Sequence, residues 1–561
     1  MPAHVYYKKA EPERLARMTE REGEMMRSKV IAVCLCMIMI FMTLGCGEEA
    51  RRIPEDVPMT DNYRTYYEVF VYSFYDGDGD GIGDFKGLTE KLDYINDGKP
   101  EPGEDLGCNG IWLMPIMPSP TYHKYDVTDY YSIDPQYGTM EDFELFMEEC
   151  NQRGIKVILD LVMNHTSSQH PWFLEACNYL NTLGEKEPSL EECPYVDYYH
   201  FSKEQKAGYC PVPGSDTWYY EAQFYYGMPD LNLFNEELQR EFEKIVEFWL
   251  NKGVGGFRID AAKEFVSGSP TSNTEILAWI TNMVKSKRED AYLVAEVWTD
   301  LNTYAGYYAS GIDSIFNFAF ADNSGVIANA VKGVSPASGF GEALVMADEL
   351  FQANNPNYID APFYTNHDLG RSAGYYAGEQ SMAQTKVAGA LNLLMSGNVF
   401  LYYGEELGMK GAGKDENKRA PMYFSSDKNA PGMCDGPADM DDVKMKFPSY
   451  EEQKEDAYSV YRYYQQAIYL RNLYPAVRKG TVENLPGYAT NTVAAIRKSY
   501  ENETLIILCN LSTEKQVVDL SDSTNQIKGI ENALYVGEEI AVYEKGQLEL
   551  PAYGIVLMGV K

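Results

Sequence analysis

Four aspartates fall within nine residues of the stretch YDGDGDGIGDFKG (Tyr75–Gly87): Asp76, Asp78, Asp80 and Asp84. Glycine separates the first three, so carboxylates that repel one another are forced close together. A cation relieves that repulsion. Acids at loop positions 1, 3, 5 and 9, with a backbone carbonyl at position 7 (here Ile82), have the spacing of an oxygen cage for Ca²⁺. An EF-hand would add a bidentate Glu at position 12 and a helix before the loop. Position 12 is Gly87, and the preceding YYEVFVYSF (Tyr66–Phe74) reads as a strand. The loop is EF-like on something that is not an EF-hand, and structural Ca²⁺ is the expected cofactor. The competing reading is an Asp/Gly-rich surface turn without an ion.

A second set of ionisable residues recurs at the ends of short apolar runs. DLVMNH supplies Asp160, Asn164 and His165; GFRID supplies Arg258 and Asp260; AEVW supplies Glu296; TNHD supplies Asn366, His367 and Asp368. Two carboxyl groups across a sugar are what glycoside cleavage needs, one as nucleophile and one as proton donor. Arg258 and Asp260 are two residues apart and share one strand face. A cation beside Asp260 keeps it ionised for attack. Glu296, as the donor, must hold a proton, a state that crowding by two anions favours. A lone strand-end acid ordinarily ends in a surface ion pair. Three acids at corresponding strand ends with histidines beside them make a candidate site.

Those strand ends need a scaffold that brings them together. Apolar runs suited to strands occur at Tyr66–Phe74, Asn109–Ile116, Lys156–Met163, Gly255–Asp260, Ala291–Val297, Ser314–Phe320, Pro362–Thr365 and Val399–Tyr403. Between them lie amphipathic stretches such as Thr139–Gly154, which opens on a capping Thr and acids and closes on Gly. Strand–helix alternation repeated eight times is the signature of an α/β (β/α)₈ TIM barrel, whose active site lies at the C-terminal ends of the strands. Residues 165–235 are too long for an ordinary connection and are expected to form an insert domain. After Glu455–Pro475 the pattern changes to short alternating strands. The expected organisation is barrel at 62–164 and 236–476, insert at 165–235, and a C-terminal β-sandwich at 477–561.

The chain has 561 residues, 45% hydrophobic and 24% charged, with a net charge of −36. That charge argues against nucleic acid and anionic membrane surfaces as partners. A monomer is expected. Its 45 tyrosines suit flat polyhydroxylated ligands wherever they stand on loops. MRSKVIAVCLCMIMIFMTLGC (Met26–Cys46) has a basic start, an apolar run and Leu44-Gly45-Cys46. It reads as a secretory signal with Cys46 as a lipidation site, which would anchor the protein to the outer face of a bacterial cell membrane. A charged tether, 47–61, follows. Beyond the signal, Cys108, Cys150, Cys177, Cys193, Cys210, Cys434 and Cys509 are odd in number and irregularly spaced. They do not form a disulfide framework or a zinc pattern, though Cys177, Cys193 and Cys210 leave room for one pair.

From about Asn62 onward the chain resembles the α-amylase family of glycoside hydrolases, the large retaining α-glucan group. The resemblance rests on GIWLMPIMPSPTYHKYDVTDYYSIDPQYGT, DLVMNHTS, GFRIDAAKE, AEVW, FYTNHD, MPDLN and YYGEELGM. It implies Asp260 as nucleophile, Glu296 as general acid/base and Asp368 as the acid that steadies the distorted sugar. It implies that Tyr125, Asp126, His165, Arg258 and His367 line the subsite of the attacked glucose, and that the aspartate loop binds a stabilising calcium. MPDLN (Met228–Asn232) resembles the branch intermediate between oligo-1,6-glucosidases and neopullulanases. Lys263 resembles α-amylases, whereas Glu264 resembles neopullulanase-like enzymes. Asn164 and Asp230 match a second calcium site, with hydrogen bonding alone as the alternative. The implied activity is retaining cleavage of α-1,4 links in starch or maltodextrins. An oligo-1,6-glucosidase or neopullulanase-like enzyme is the alternative, and a non-catalytic glucan-binding or transporter-accessory relative is the rival from another class.

Overall fold

The computed structural model describes residues 52–561 apart from 102, 185, 523 and 524. The proposed signal and Cys46 lie outside the described residues. Residues 54–561 form one compact unit.

Three parallel strands come first: β1 (Thr65–Val69), β2 (Gly110–Leu113) and β3 (Lys156–Leu161). The insert then contributes β4 (Phe201–Ser202), β5 (Tyr209–Pro211) and β6 (Tyr219–Glu221), which form a small sheet in the order β4-β6-β5 beside the helix Pro171–Leu183. The parallel strands resume with β7 (Gly256–Ile259), β8 (Tyr292–Ala295), β9 (Ser314–Ile315) and β10 (Val399–Tyr402). Their order is β10-β1-β2-β3-β7-β8-β9.

Two isolated parallel bridges, Phe316 with Ala361 and Phe363 with Phe400, link β9 to β10 across the remaining gap. The strand expected at Pro362–Thr365 is therefore reduced to single bridges. Pro362 has no N–H to give to a ladder; its carbonyl accepts from Phe400 N at 2.9 Å. The strand expected at Ser314–Phe320 stops at Ile315, where turn bonds such as Phe318 N to Phe316 O (3.1 Å) take over.

Side-chain alternation fills the barrel. On β1, Tyr66 joins the lumen cluster with Trp112, Ile158, Tyr292, Val294, Phe316, Phe363 and Phe400, while Tyr67 and Val69 face the outer core. The Tyr66 ring stacks on Tyr292 at 5.4 Å and on Phe400 at 5.0 Å. The outer helices start where the sequence caps them. At Met140–Gln152 the Thr139 side chain accepts from Asp142 N at 3.2 Å while Asp142 accepts from Thr139 N at 2.9 Å. At Glu236–Asn251 the cap is Asn235, and Leu238, Phe242, Ile245, Val246 and Trp249 are buried on one stripe.

The C-terminal region carries β11 (Thr481–Asn484), β12 (Val493–Tyr500), β13 (Glu503–Asn510), β14 (Gln516–Asp519), β15 (Ile527–Leu534), β16 (Val542–Glu544), β17 (Gln547–Leu550) and β18 (Ile555–Val560). They form antiparallel sheets in the orders β11-β12-β13-β18-β15 and β14-β17-β16. Val493, Ile506, Leu508 and Met558 of the first sheet pack with Val518, Leu548 and Leu550 of the second. All seven cysteines among the described residues are free, so the pair left open among Cys177, Cys193 and Cys210 is absent. Among the described residues no helix is long and apolar enough to cross a membrane.

Candidate active site

The parallel register sets Asp160 of β3 beside Arg258 of β7, and Arg258 beside Val294 of β8. Arg258 is fully buried and lies over the Trp112 ring at 5.2 Å. Its Nη1 donates to Asp160 Oδ1 at 2.8 Å and to Asp260 Oδ1 at 2.5 Å; its Nη2 donates to Glu296 Oε2. Burial works against its charge, but Asp160 and Asp260 prevail and hold the guanidinium protonated well above its ordinary range. Asp260 and Glu296 keep 10% and 12% of their side chains exposed, so both reach the cleft from an otherwise sealed cluster. Ala261, directly after Asp260, has φ 47°, a left-handed conformation that turns the chain away at the mouth. Glu296 N donates to Ile259 O and Ala262 N to Glu296 O, both at 2.9 Å, which locks the two strand ends together.

Glu296 thus touches a cation, where the sequence suggested crowding by anions alone. The guanidinium expected to serve Asp260 is shared among three carboxylates. Burial pushes Asp160 up to about 7 against the pull of Arg258.

The opposite wall is built around His367. Its Nδ1 donates to Glu68 at 2.6 Å, and its Nε2 lies 3.0 Å from Asp368 Oδ2 and 2.8 Å from the Tyr125 hydroxyl. The Tyr125 hydroxyl in turn donates to Asp160 Oδ2 at 2.9 Å, and its ring stacks on His367 at 5.5 Å. Burial disfavours a charged His367, yet Asp368 and Glu68 outweigh it and raise the imidazole to about 9. Burial likewise disfavours ionised Asp368, but His367 and Arg419 hold it well below the usual carboxylate range. Arg419 Nη2 donates to Asp368 Oδ1 at 3.1 Å, and Nη1 donates to Asp415.

Asp126 is buried and accepts from Ser119 Oγ at 2.6 Å and from Thr121 Oγ1. His165 is buried, lies 3.4 Å from Asn164 Nδ2, and has no hydrogen-bond partner at Nε2; burial lowers its pKa. Asn164 Nδ2 donates to Asp230 Oδ1 at 3.1 Å, and Gln223 N donates to Asp230 Oδ2 at 2.9 Å. Hydrogen bonding alone therefore engages both oxygens of Asp230. Glu264 pairs with Lys263 at 2.8 Å.

Glu68, Asp415 and Arg419 were not singled out in the sequence. Glu68 has a signal there: it is a lone acid on the inward face of an aromatic strand. Arg419 and Asp415 have none, because they lie in a stretch without periodicity between β10 and the helix Val460–Leu473.

In the aspartate loop, one oxygen each from Asp76, Asp78 and Asp84 lie within 4.8 Å of one another. Asp80 stands outside that group and accepts from Ile82 N at 2.8 Å. Asp76 accepts from Gly79 N at 2.6 Å and Gly81 N at 2.8 Å, and the positive φ of both glycines (90° and 92°) is what curls the loop around it. An all-oxygen set of this kind fits a hard cation such as Ca²⁺. Asp76, Asp78 and Asp84 are the members of the expected set that stand closest together.

A profile of the catalytic domain of alpha-amylases matches residues 68–480. The chain is 36% identical over 514 residues to alpha-amylase 3 of Dictyoglomus thermophilum, covering 88% of this chain and 92% of that protein. The chain belongs to the alpha-amylase family. Among solved structures, Amy13B of Eubacterium rectale superposes with a TM-score of 0.87 at 47% identity, covering 91% of this chain and 98% of that one. The alpha-amylase from H. orenii superposes with a TM-score of 0.77 at 36% identity, covering 89% and 100%. This alpha-amylase-family chain is accordingly a glycoside hydrolase on a TIM barrel with a C-terminal antiparallel β region.

Proposed function

We propose that this enzyme hydrolyses α-1,4-glucosidic bonds of starch, maltodextrins or related α-glucans with retention of configuration. The observation that carries this reading is the bridge through Arg258, whose two terminal nitrogens hold Asp260 and Glu296 side by side. A close carboxyl pair suits double displacement, for which about 5–5.5 Å is expected; an inverting pair stands further apart to admit a water.

In the forward step Asp260 attacks the anomeric carbon while Glu296 protonates the departing glycosidic oxygen. Arg258 holds Glu296 in the free site, so the donor state requires the entering sugar to displace that contact. Glu296, now a carboxylate, then takes a proton from water, and the resulting attack releases Asp260. Asp368, kept ionised by His367 and Arg419, accepts hydrogen bonds from the sugar hydroxyls as the ring flattens. The bound ion expected at the aspartate loop would supply stability; no step passes through it.

Proton NMR of the first product from maltoheptaose is expected to show the α-anomer before mutarotation. The β-anomer appearing first would overturn the mechanism. Timed product analysis on amylose, panose and pullulan decides the bond: faster cleavage of α-1,6 links would favour the oligo-1,6-glucosidase or neopullulanase-like reading.

A further inference from the structure

Glu68 is fully buried on β1, where the parallel register sets it between Trp112 of β2 and Tyr402 of β10. Its Oε1 accepts from His367 Nδ1 at 2.6 Å and from His367 N at 3.4 Å, and its Oε2 has no hydrogen-bond partner. Among the described residues, His367 alone bonds to this carboxylate. An acid buried on such terms is costly unless it offsets a charge.

The far side of the imidazole shows which charge that is. His367 Nε2 lies 2.8 Å from the Tyr125 hydroxyl and 3.0 Å from Asp368 Oδ2. The one proton of that hydroxyl goes to Asp160 Oδ2 at 2.9 Å. Asp368, held ionised by His367 and Arg419 against its burial, has none to give. Both neighbours of Nε2 are acceptors, so Nε2 must carry a proton, and Nδ1, facing a carboxylate oxygen, must carry one too. An imidazole protonated on both nitrogens is a cation. We infer that Glu68 is a positioning residue: by fixing the Nδ1 proton and the positive charge of His367, it keeps on Nε2 the proton that faces Asp368 and the sugar.

The groups that face His367 are Glu68 from β1, Tyr125 from the segment after β2 and Asp368 on its own segment, with Asp160 of β3 and Arg258 of β7 within electrostatic reach and Tyr402 of β10 beside Glu68. Burial opposes the charge, and Asp368 and Glu68 outweigh it. With an amide in place of Glu68 the ring should lose a proton at lower pH. The remaining proton stays on Nδ1, which keeps its acceptor, and Nε2 then meets Tyr125 and Asp368 with a lone pair. The inference rests on the glycosidase reading above for what the Nε2 proton does to the sugar, and on this geometry alone for where the proton sits.

Histidine-selective ¹⁵N NMR, with His367→Gln to assign the signal, reads the ring directly. The wild type is expected to show both ring nitrogens of His367 protonated at pH 7.5, and Glu68→Gln to move the loss of the Nε2 proton to lower pH by about two units. In turnover, the ratio of kcat/KM for Glu68→Gln to that of the wild type, on maltoheptaose, cancels every group common to both. It should stay within about threefold of unity at pH 5.5 and fall about tenfold further by pH 8. A merely structural Glu68 would lower activity equally at every pH, so a ratio flat with pH overturns the inference and leaves the hydrolase reading standing. A wild-type ring with a single proton on Nδ1 at pH 7.5 overturns it, as does a titration that Glu68→Gln does not move. If Glu68→Gln fails to fold, the wild-type spectrum decides alone. If the wild type cleaves no maltoheptaose, the hydrolase reading falls and the ring protons still decide the role of Glu68.

Discussion

At the barrel mouth, Asp160, Asp260 and Glu296 face one guanidinium, and Asp368 faces His367 and Arg419. In the loop at Asp76–Asp84, the carboxylates are held by backbone N–H groups: Asp76 by Gly79 and Gly81, Asp84 by Gly77, Asp78 and Gly87. The two clusters share a residue type and differ in what neutralises it. The mouth carries its own counter-ions, fixed in a sealed environment where charges interact strongly. The loop has amide dipoles alone and lies at the surface, where a hard cation is free to enter. Removing a carboxylate should therefore damage chemistry at the mouth and stability at the loop.

The largest effect is expected from Asp260→Asn, which keeps the shape and removes the proposed nucleophile. Turnover should fall about a thousandfold or more with the melting temperature little changed. A folded variant retaining a tenth of wild-type kcat, about 1.4 kcal/mol of barrier, would sink the assignment. Next is Arg258→Ala, which strands buried Asp160 and Asp260 and half-buried Glu296 without their cation. Denaturant unfolding should show a loss of about 3–5 kcal/mol, the usual cost of breaking a buried ion pair from one side. A loss within about 0.5 kcal/mol would mean that the mouth does not depend on its internal counter-ion.

A smaller effect is expected at the loop. Chelation should remove about 2.7 kcal/mol if calcium is present at a hundred times its dissociation constant. Asp78→Ala should reproduce that loss and abolish the response to chelator, with activity well below the melting point preserved. Asp80→Ala should do less, because Asp80 stands outside the oxygen group. Equal effects of the two substitutions would support the four-aspartate cage read from spacing.

The smallest effect is a pH slope. Burial opposes a charged His367, but Asp368 and Glu68 raise it from 6.5 to about 9. The folded state then binds its proton more tightly than the unfolded chain. That contribution is complete below about pH 6.5 and is lost as pH rises through 9. Urea unfolding at pH 6 and pH 9 should show wild type losing stability over this window and His367→Gln losing less. An identical slope in both would place the alkaline loss elsewhere.

Much of this molecule was legible in local patterns. The capping pair Thr139–Asp142, the helical stripe on 236–251 and the inward–outward alternation of β1 are set by neighbours within a few residues, and so is the glycine-spaced loop. The three acids also announced themselves, because each ends an apolar run and barrels work at such ends. The structure alone decided which charge meets which. His367 and Glu68 are 299 residues apart, Arg258 and Asp160 are 98 apart, and Arg419 and Asp368 are 51 apart. No periodicity spans those distances. Strand register sets Asp160 against Arg258, and closure of the sheet brings β1 round to the segment that bears His367. Electrostatic energy falls with separation and rises with burial, both of which exist only once the chain has closed. Residue type and spacing therefore determined where acids would gather, and the closed barrel determined which of them would find a cation within the protein.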